Sequence, residues 1–248
     1  MSERAVIPLE SNPVVFSDLA YKLGLSSILQ FHDVYSLTDP DLLLFLPQPI
    51  YGVILLFPLT QEYEKYRKEQ DEGKDEEDEE GQGYEEGQGY DDDNVNWYRQ
   101  TIKNGCGLYG LLHILANLPS DLIIDNSIMS EFLSNSKGLN CSDKAKLVEN
   151  LESNIQLNDN YSNQGQSQVP DINDEVNFHF ISFIKGKDGH LYELDGRRSG
   201  PIDLGPSVPN SHILDDEKLS NKIQFYMDNT DENNRNNFAL MAIGPTLD

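Results

Sequence analysis

Hydrophobic and polar positions along this chain recur at two periods, and each change of period marks an element. The run Val14 to Lys22 follows Ser11-Asn12-Pro13, which predicts a helix capped by Ser11 or Asn12, with Pro13 in its first turn and a stop near Gly24. Helices are also predicted over Ser127–Leu133 and Asp143–Glu152, and from the apolar run Gly107 to Ala116. Strands are predicted at Gln30–Val34, Gly52–Leu59, Phe178–Ile184, His190–Asp195 and Phe238–Ile243. The longest apolar run, Ile50 to Leu59, is too short to span a membrane and contains Gly52 and Pro58, so it reads as a central strand. Helices gather before residue 178 and strands after it, an α+β pattern in which a helix packs on one side of a mostly antiparallel sheet.

Two polar stretches interrupt the pattern. Residues 62–93 hold 16 Asp or Glu against 4 Lys or Arg, and Glu-Gly-Gln-Gly-Tyr occurs at 80–84 and again at 86–90. Such a composition buries too little apolar surface to order itself, so a disordered acidic insertion is expected at about 64–95, its entry Glu62 to Gln70 prolonging some helix. A second aperiodic stretch, at about 152–174, is expected to form a long loop before the strand at Phe178.

Charge and length narrow the function. The net charge is −25, which repels nucleic acid and suits a partner with a basic face. A chain of 248 residues can be one domain with its insertions, and its core needs no disulfides. Two cysteines, Cys106 and Cys141, cannot build a disulfide framework, and the N-terminus lacks a charged-then-apolar signal pattern. A reducing cytosolic setting, or a nuclear one, is the expectation. Cys141 has no base or glycine frame around it and reads as structural.

Cys106 carries the chemistry. It stands where the polar run Gln100 to Gly105 turns into the apolar helical run, so unsatisfied N–H groups and the positive end of the helix dipole favour its thiolate. A free cysteine is most often a small buried hydrophobe. Here Gly105 and Gly107 leave the sulfur open to a carbonyl substrate, and Gln100 is an amide donor that an oxyanion hole can use beside the Cys106 N–H.

A thiol nucleophile needs a histidine base, itself oriented by a third group. His113 follows on the same helix about 10 Å further along, too far for proton transfer. His32 and His212 read as structural or surface groups. The other two belong to a predicted hairpin with residues 185–189 as its loop, in which Ile184 pairs with His190 and His179 lies directly opposite Asp195. Asp195 can then hold the ring of His179.

At this point the residues carry a resemblance. Gln-Thr-Ile-x-Asn-Gly-Cys-Gly and Gly-Leu-x-His, within Gln100 to Asn117, resemble the active-site signature of the ubiquitin C-terminal hydrolases, papain-like deubiquitinases, and in particular their fungal members. Asn177–Ile181 and Leu191–Arg197 resemble the family's His and Asp blocks, in the order Gln, Cys, His, Asp. Leu9-Glu10-Ser11-Asn12-Pro13, Leu23-Gly24, Asp33-Val34 and Leu55 to Thr60 match as well.

The resemblance implies a single catalytic domain over 1–248 with a papain-like α+β fold and a deeply threaded, knotted chain. It implies Cys106 as nucleophile, His179 as general base and then acid, Asp195 as the partner of His179, and Gln100 as oxyanion donor, with Leu9, Glu10 and Asn104 contacting substrate. Ubiquitin is the implied partner, or a ubiquitin-like protein, to a monomer that uses no cofactor and no metal. The stretch at 152–174 corresponds to a loop crossing the active site and limiting what enters, which favours small or unfolded adducts. One departure is Gly105, where the family usually has Ser or Ala and where glycine adds backbone freedom. Papain's own cysteine signature is absent, which disfavours an ordinary endopeptidase.

Overall fold

Asn12 opens the first helix as the pattern predicts: its side chain accepts the Val14 N–H at 3.0 Å, Pro13 occupies the first turn, and Gly24 closes the helix with its N–H on the Ala20 and Tyr21 carbonyls. The computed structural model describes residues 4–71, 94–155, 177–209, 211–232 and 234–247. In chain order these form α1 (Pro13–Leu23), β1 (Leu29–Asp33), α2 (Pro40–Leu43), β2 (Gly52–Pro58), α3 (Gln61–Asp71), α4 (Cys106–Leu115), α5 (Ile128–Ser136), α6 (Cys141–Ile155), β3 (Phe178–Lys185), β4 (His190–Leu194), β5 (Ile202–Pro206), α7 (Glu217–Asp228) and β6 (Ala239–Pro245).

The described strands make one antiparallel sheet in the order β1-β6-β2-β3-β4-β5. Its centre explains the unbroken apolar run of β2. Val53, Leu55 and Phe57 point to one face and Ile54 to the other, all essentially fully buried. Each such side chain contributes about 1.5–3 kcal/mol by leaving water. On the Ile54 face lie α1 and α4, with Phe16, Leu108, Leu111 and Phe180 in the core. On the other face, Leu219, Ile223 and Tyr226 of α7 pack with Tyr63 of α3 against Phe57, Ile181 and Phe183.

Helix α2, whose Leu43 packs on that second face, helix α7 and the edge strand β5 were not in the sequence-based set. Helix α7 carries Asp216 as its cap, accepting the Lys218 N–H, and buries Leu219, Ile223 and Tyr226 at helical spacing, so its signal was present. Strand β5 is a half-buried edge with Gly205 and Pro206, which hides its period.

The boundaries of the acidic insertion need correction. Residues 64–71 belong to α3, which is docked by buried side chains, and Val95 is buried in the first core. The remainder of that stretch, residues 72–93, lies outside the described residues. So do residues 156–174 of the expected loop, whereas 152–155 belong to α6, where Ile155 is fully buried and Glu152 pairs with Arg4 at 2.6 Å. Charge density hid the docking of α3, because its acids and bases neutralise one another locally. Asp71 and Arg198, both about 95 % buried, pair at 3.0 Å. Removing one member strands a buried charge, so Asp71→Ala is expected to cost about 3–5 kcal/mol, read as a lower urea midpoint.

The predicted hairpin register is off by two residues. Ser182 pairs with Leu194 and Lys185 with Leu191, while the Gly186 N–H donates to the His190 carbonyl at 2.8 Å, leaving only Lys187-Asp188-Gly189 in the turn. Gly189 takes φ 80°, the left-handed conformation that closes a three-residue hairpin loop. His179 is therefore not directly opposite Asp195, which lies just past the end of β4. A two-residue slip preserves the alternation of faces, so both side chains stay on the same side of the sheet.

Candidate active site

The first helical residue of α4 is Cys106, and its cap residue Gly105 supplies no side-chain hydrogen bond, so the sulfur lies beside the first-turn N–H groups. Asn104 turns the chain into the helix with φ 61°, a left-handed conformation that asparagine tolerates better than most residues. Gly105 itself has φ −81°, so the Gly-for-Ser departure does not serve an unusual backbone angle. A Cβ there would meet the Ile102 carbonyl oxygen at 3.0 Å, and the segment fits tightly around the glycine.

His179 comes from β3, on the opposite face of the sheet from most of α4, and reaches the sulfur at the end of the sheet where the two layers meet. Its Nε2 bonds Asp195 Oδ1 at 2.7 Å, and its ring stands edge-on to Phe57 at 5.9 Å. That leaves Nδ1 for the Cys106 sulfur, which lines the same cleft. All three residues are at least 95 % buried.

Electrostatics select one charge state. Burial pushes the Cys106 thiol up, but the hydrogen bond and charge of His179, with backbone N–H groups of Phe180 and Gly107, bring it below the ordinary thiol value. Burial lowers His179, but the charge and hydrogen bond of Asp195, joined by Cys106, raise it to about 9. Burial raises Asp195, and the His179 charge and hydrogen bond, the Arg197 N–H and the Tyr63 hydroxyl overcome it, holding the acid well below the usual carboxylate range. All three shifts point the same way, toward thiolate, imidazolium and carboxylate in a row.

The cleft above the sulfur, about 400 Å³, is lined by Gln100, Asn104, Cys106, His179, Phe178 and Arg197, among others. Gln100 is held in it: one Nε2 hydrogen bonds the Ile102 carbonyl at 3.1 Å, and its own N–H donates to the Gly196 carbonyl at 2.7 Å. Gly196 is needed for that approach, since a Cβ there would lie 2.9 Å from Gln100 Cβ. The Gln100 segment and the Asp195 loop are thus one packed unit, further tied by Trp97 Nε1 donating to the Asp195 carbonyl at 3.0 Å.

Of the implied substrate-contacting residues, Asn104 is in this cleft. Leu9 is buried and packs on Gly107. Glu10 is not brought to the sulfur; it lines a separate groove with Val14, Tyr35 and Phe45. His113 is fully buried beside Tyr98, and burial lowers it to about 4, so it remains neutral, whereas His32 bonds the Pro245 carbonyl. Cys141 starts α6 and packs at the edge of the core. Sequence reasoning missed Tyr63, whose hydroxyl donates to Asp195 Oδ2 at 2.7 Å. Its signal, one of two tyrosines, Tyr63 and Tyr66, in a run of charges, is weak.

The profile of the ubiquitin carboxyl-terminal hydrolases, family 1, matches residues 6–228. The chain belongs to this family. It is 35 % identical over 248 residues to ubiquitin carboxyl-terminal hydrolase YUH1 of Saccharomyces cerevisiae, covering 98 % of this chain and 97 % of that one. It is 38 % identical over 213 residues to ubiquitin carboxyl-terminal hydrolase isozyme L1 of Rattus norvegicus, covering 86 % and 88 %. Its fold matches the Trichinella spiralis UCH37 catalytic domain, solved bound to ubiquitin vinyl methyl ester, with a TM-score of 0.73 at 20 % identity over 100 % of this chain and 98 % of that one. This family-1 hydrolase therefore has the α+β, papain-like architecture expected from its cysteine, histidine and aspartate blocks.

Proposed function

We propose that this family-1 hydrolase is a thiol-dependent deubiquitinase that cleaves adducts from the C-terminal glycine of ubiquitin. The observation that carries the reading is the buried His179–Asp195 hydrogen bond, with Cys106 and His179 lining one and the same cleft.

In this reading the Cys106 thiolate attacks the carbonyl carbon of the terminal glycine. The carbonyl oxygen becomes an oxyanion, held by the Cys106 N–H and by the second Nε2 hydrogen of Gln100, the first being committed to Ile102. Imidazolium His179 gives its proton to the leaving amine or thiol as the bond to the carbonyl breaks. Neutral His179 then takes a proton from water, whose oxygen attacks the thioester and releases ubiquitin with a free carboxylate and Cys106 as thiolate. Asp195 stays ionised throughout.

The pH dependence follows from the shifts. On the acid side the rate falls as the thiolate is protonated, at a pH below the ordinary thiol value; on the alkaline side it falls as His179 loses its proton near pH 9. Measured kcat/KM is expected to trace this bell, its limbs belonging to the coupled pair. Because the folded pKa of His179 is raised, its stabilising contribution is complete below its unfolded value of 6.5 and is lost as pH rises through about 9.

Small or unfolded leaving groups are part of the proposal, as is a reducing cytosolic or nuclear setting that keeps Cys106 unoxidised. The test uses ubiquitin and a ubiquitin-like protein, each carrying a fluorogenic C-terminal amide, together with folded ubiquitin dimers. Ubiquitin amide is expected to be preferred by about tenfold or more in kcat/KM, and dimers to be slow. Preference for the ubiquitin-like protein would overturn the substrate assignment, and dimers cleaved as fast as the amide would overturn the size limit.

A further inference from the structure

We propose that Tyr63 of α3 is a positioning residue for this reaction, its hydroxyl holding the Asp195 carboxylate so that Oδ1 stays on His179. The proposal rests on the reading of Cys106, His179 and Asp195 given above, and extends the catalytic apparatus to the helix that heads the acidic segment.

Asp195 is fully buried, and its two oxygens are served differently. Oδ1 accepts from His179 Nε2 at 2.7 Å and from the Arg197 N–H at 2.8 Å. Among the described residues Oδ2 accepts only from Tyr63, at 2.7 Å. A carboxylate turns about its last torsion in a broad well, so the oxygen facing the imidazole is set by what grips the other one. Without the hydroxyl, Oδ2 is a buried acceptor with no donor, and the group gains by turning toward any other donor it can reach.

The donor is itself locked. The Tyr63 ring is 4 % exposed, stands edge-on to Phe57 at 4.9 Å and tilts against Tyr226 at 5.8 Å, and its N–H is capped by Thr60 Oγ1 at 3.1 Å. The same helix holds the loop after Asp195 by two ion pairs, Asp71 with Arg198 at 3.0 Å and Glu64 with Arg197 at 2.7 Å. Hydroxyl, carboxylate and loop are thus carried by one docked unit. It approaches from the face of the sheet opposite α4, so Asp195 is gripped without obstructing the cleft. A buried tyrosine satisfied by the nearest acid is the ordinary structural alternative, and it predicts a different result in the following cycle.

Tyr63→Phe, Asp195→Ala and the double variant are made in the full chain and assayed on ubiquitin with a fluorogenic C-terminal amide, with thermal melting to fix a temperature at which all are folded. Tyr63→Phe keeps the ring and is expected to lower kcat about tenfold with KM changed less than about twofold. In the Asp195→Ala background the same substitution is expected to cause no further fall, because the hydroxyl then has no carboxylate to hold. A 3-fluorotyrosine at position 63, which restores the hydroxyl, is expected to return kcat to within about twofold of the parent. An unchanged kcat in Tyr63→Phe, an equal fall in both backgrounds, or failure of the fluorotyrosine to restore the rate overturns the assignment. An inactive parent chain, or an active Cys106→Ala control, overturns the thiol-hydrolase reading and Tyr63 with it; an active parent with an unaffected Tyr63→Phe overturns Tyr63 alone.

Discussion

Cys106→Ala is expected to release no fluorophore from a ubiquitin C-terminal amide above the uncatalysed rate, while still binding ubiquitin with the affinity of the parent. The sulfur is the one atom in the cleft whose charge state the surroundings shift toward a nucleophile: the His179 bond and charge outweigh the burial that opposes ionisation. Without it no thioester forms, and a neutral amide donor and an imidazole are left, which polarise a carbonyl without attacking it. The pair of measurements is turnover by fluorescence and affinity by calorimetry. Retained hydrolysis would sink the assignment of Cys106, and loss of binding would show that the substitution disturbs more than the chemistry.

His179→Ala is expected to lower kcat by about a thousandfold or more, and Asp195→Ala by about a hundredfold, both measured at a temperature where the variants remain folded. The difference has a cause. Removing His179 deletes the proton donor and acceptor and also the charge that counters burial of the sulfur, so Cys106 reverts to a thiol at neutral pH. Removing Asp195 leaves the imidazole in place on its strand with its edge contact to Phe57, deprived of orientation and of charge stabilisation. Its cost in stability is the larger of the two, because the Tyr63 hydroxyl and the Arg197 N–H both lose their acceptor in the interior. Equal rate losses in the two variants would mean that Asp195 does more than hold the ring.

Much of the site was legible because its parts are local. A cysteine at the junction of a polar run and an apolar helix, a glutamine six residues before it, and an acid across a hairpin from a histidine are all patterns of short range. The hairpin was recognised with the wrong loop length, yet His179 and Asp195 still meet, since the error was an even number of residues. An error of one would have separated them.

What the sequence by itself determined is the set of elements with strong period or caps: α1 with Asn12 and Pro13, the doubly buried run of β2, the cysteine at the start of α4, and the faces of β3 and β4. Hydrophobic periodicity and capping are written residue by residue, so they survive without knowledge of the fold. Only the tertiary structure decided the fate of α3 and the place of Tyr63. Its charges look like solvated surface in a list of residues, yet Asp71 becomes an interior partner of Arg198 and Glu64 a half-buried partner of Arg197, both more than a hundred residues away. Pairing across such a separation leaves no local period, and it is these contacts that bring the Tyr63 hydroxyl to the acid behind His179.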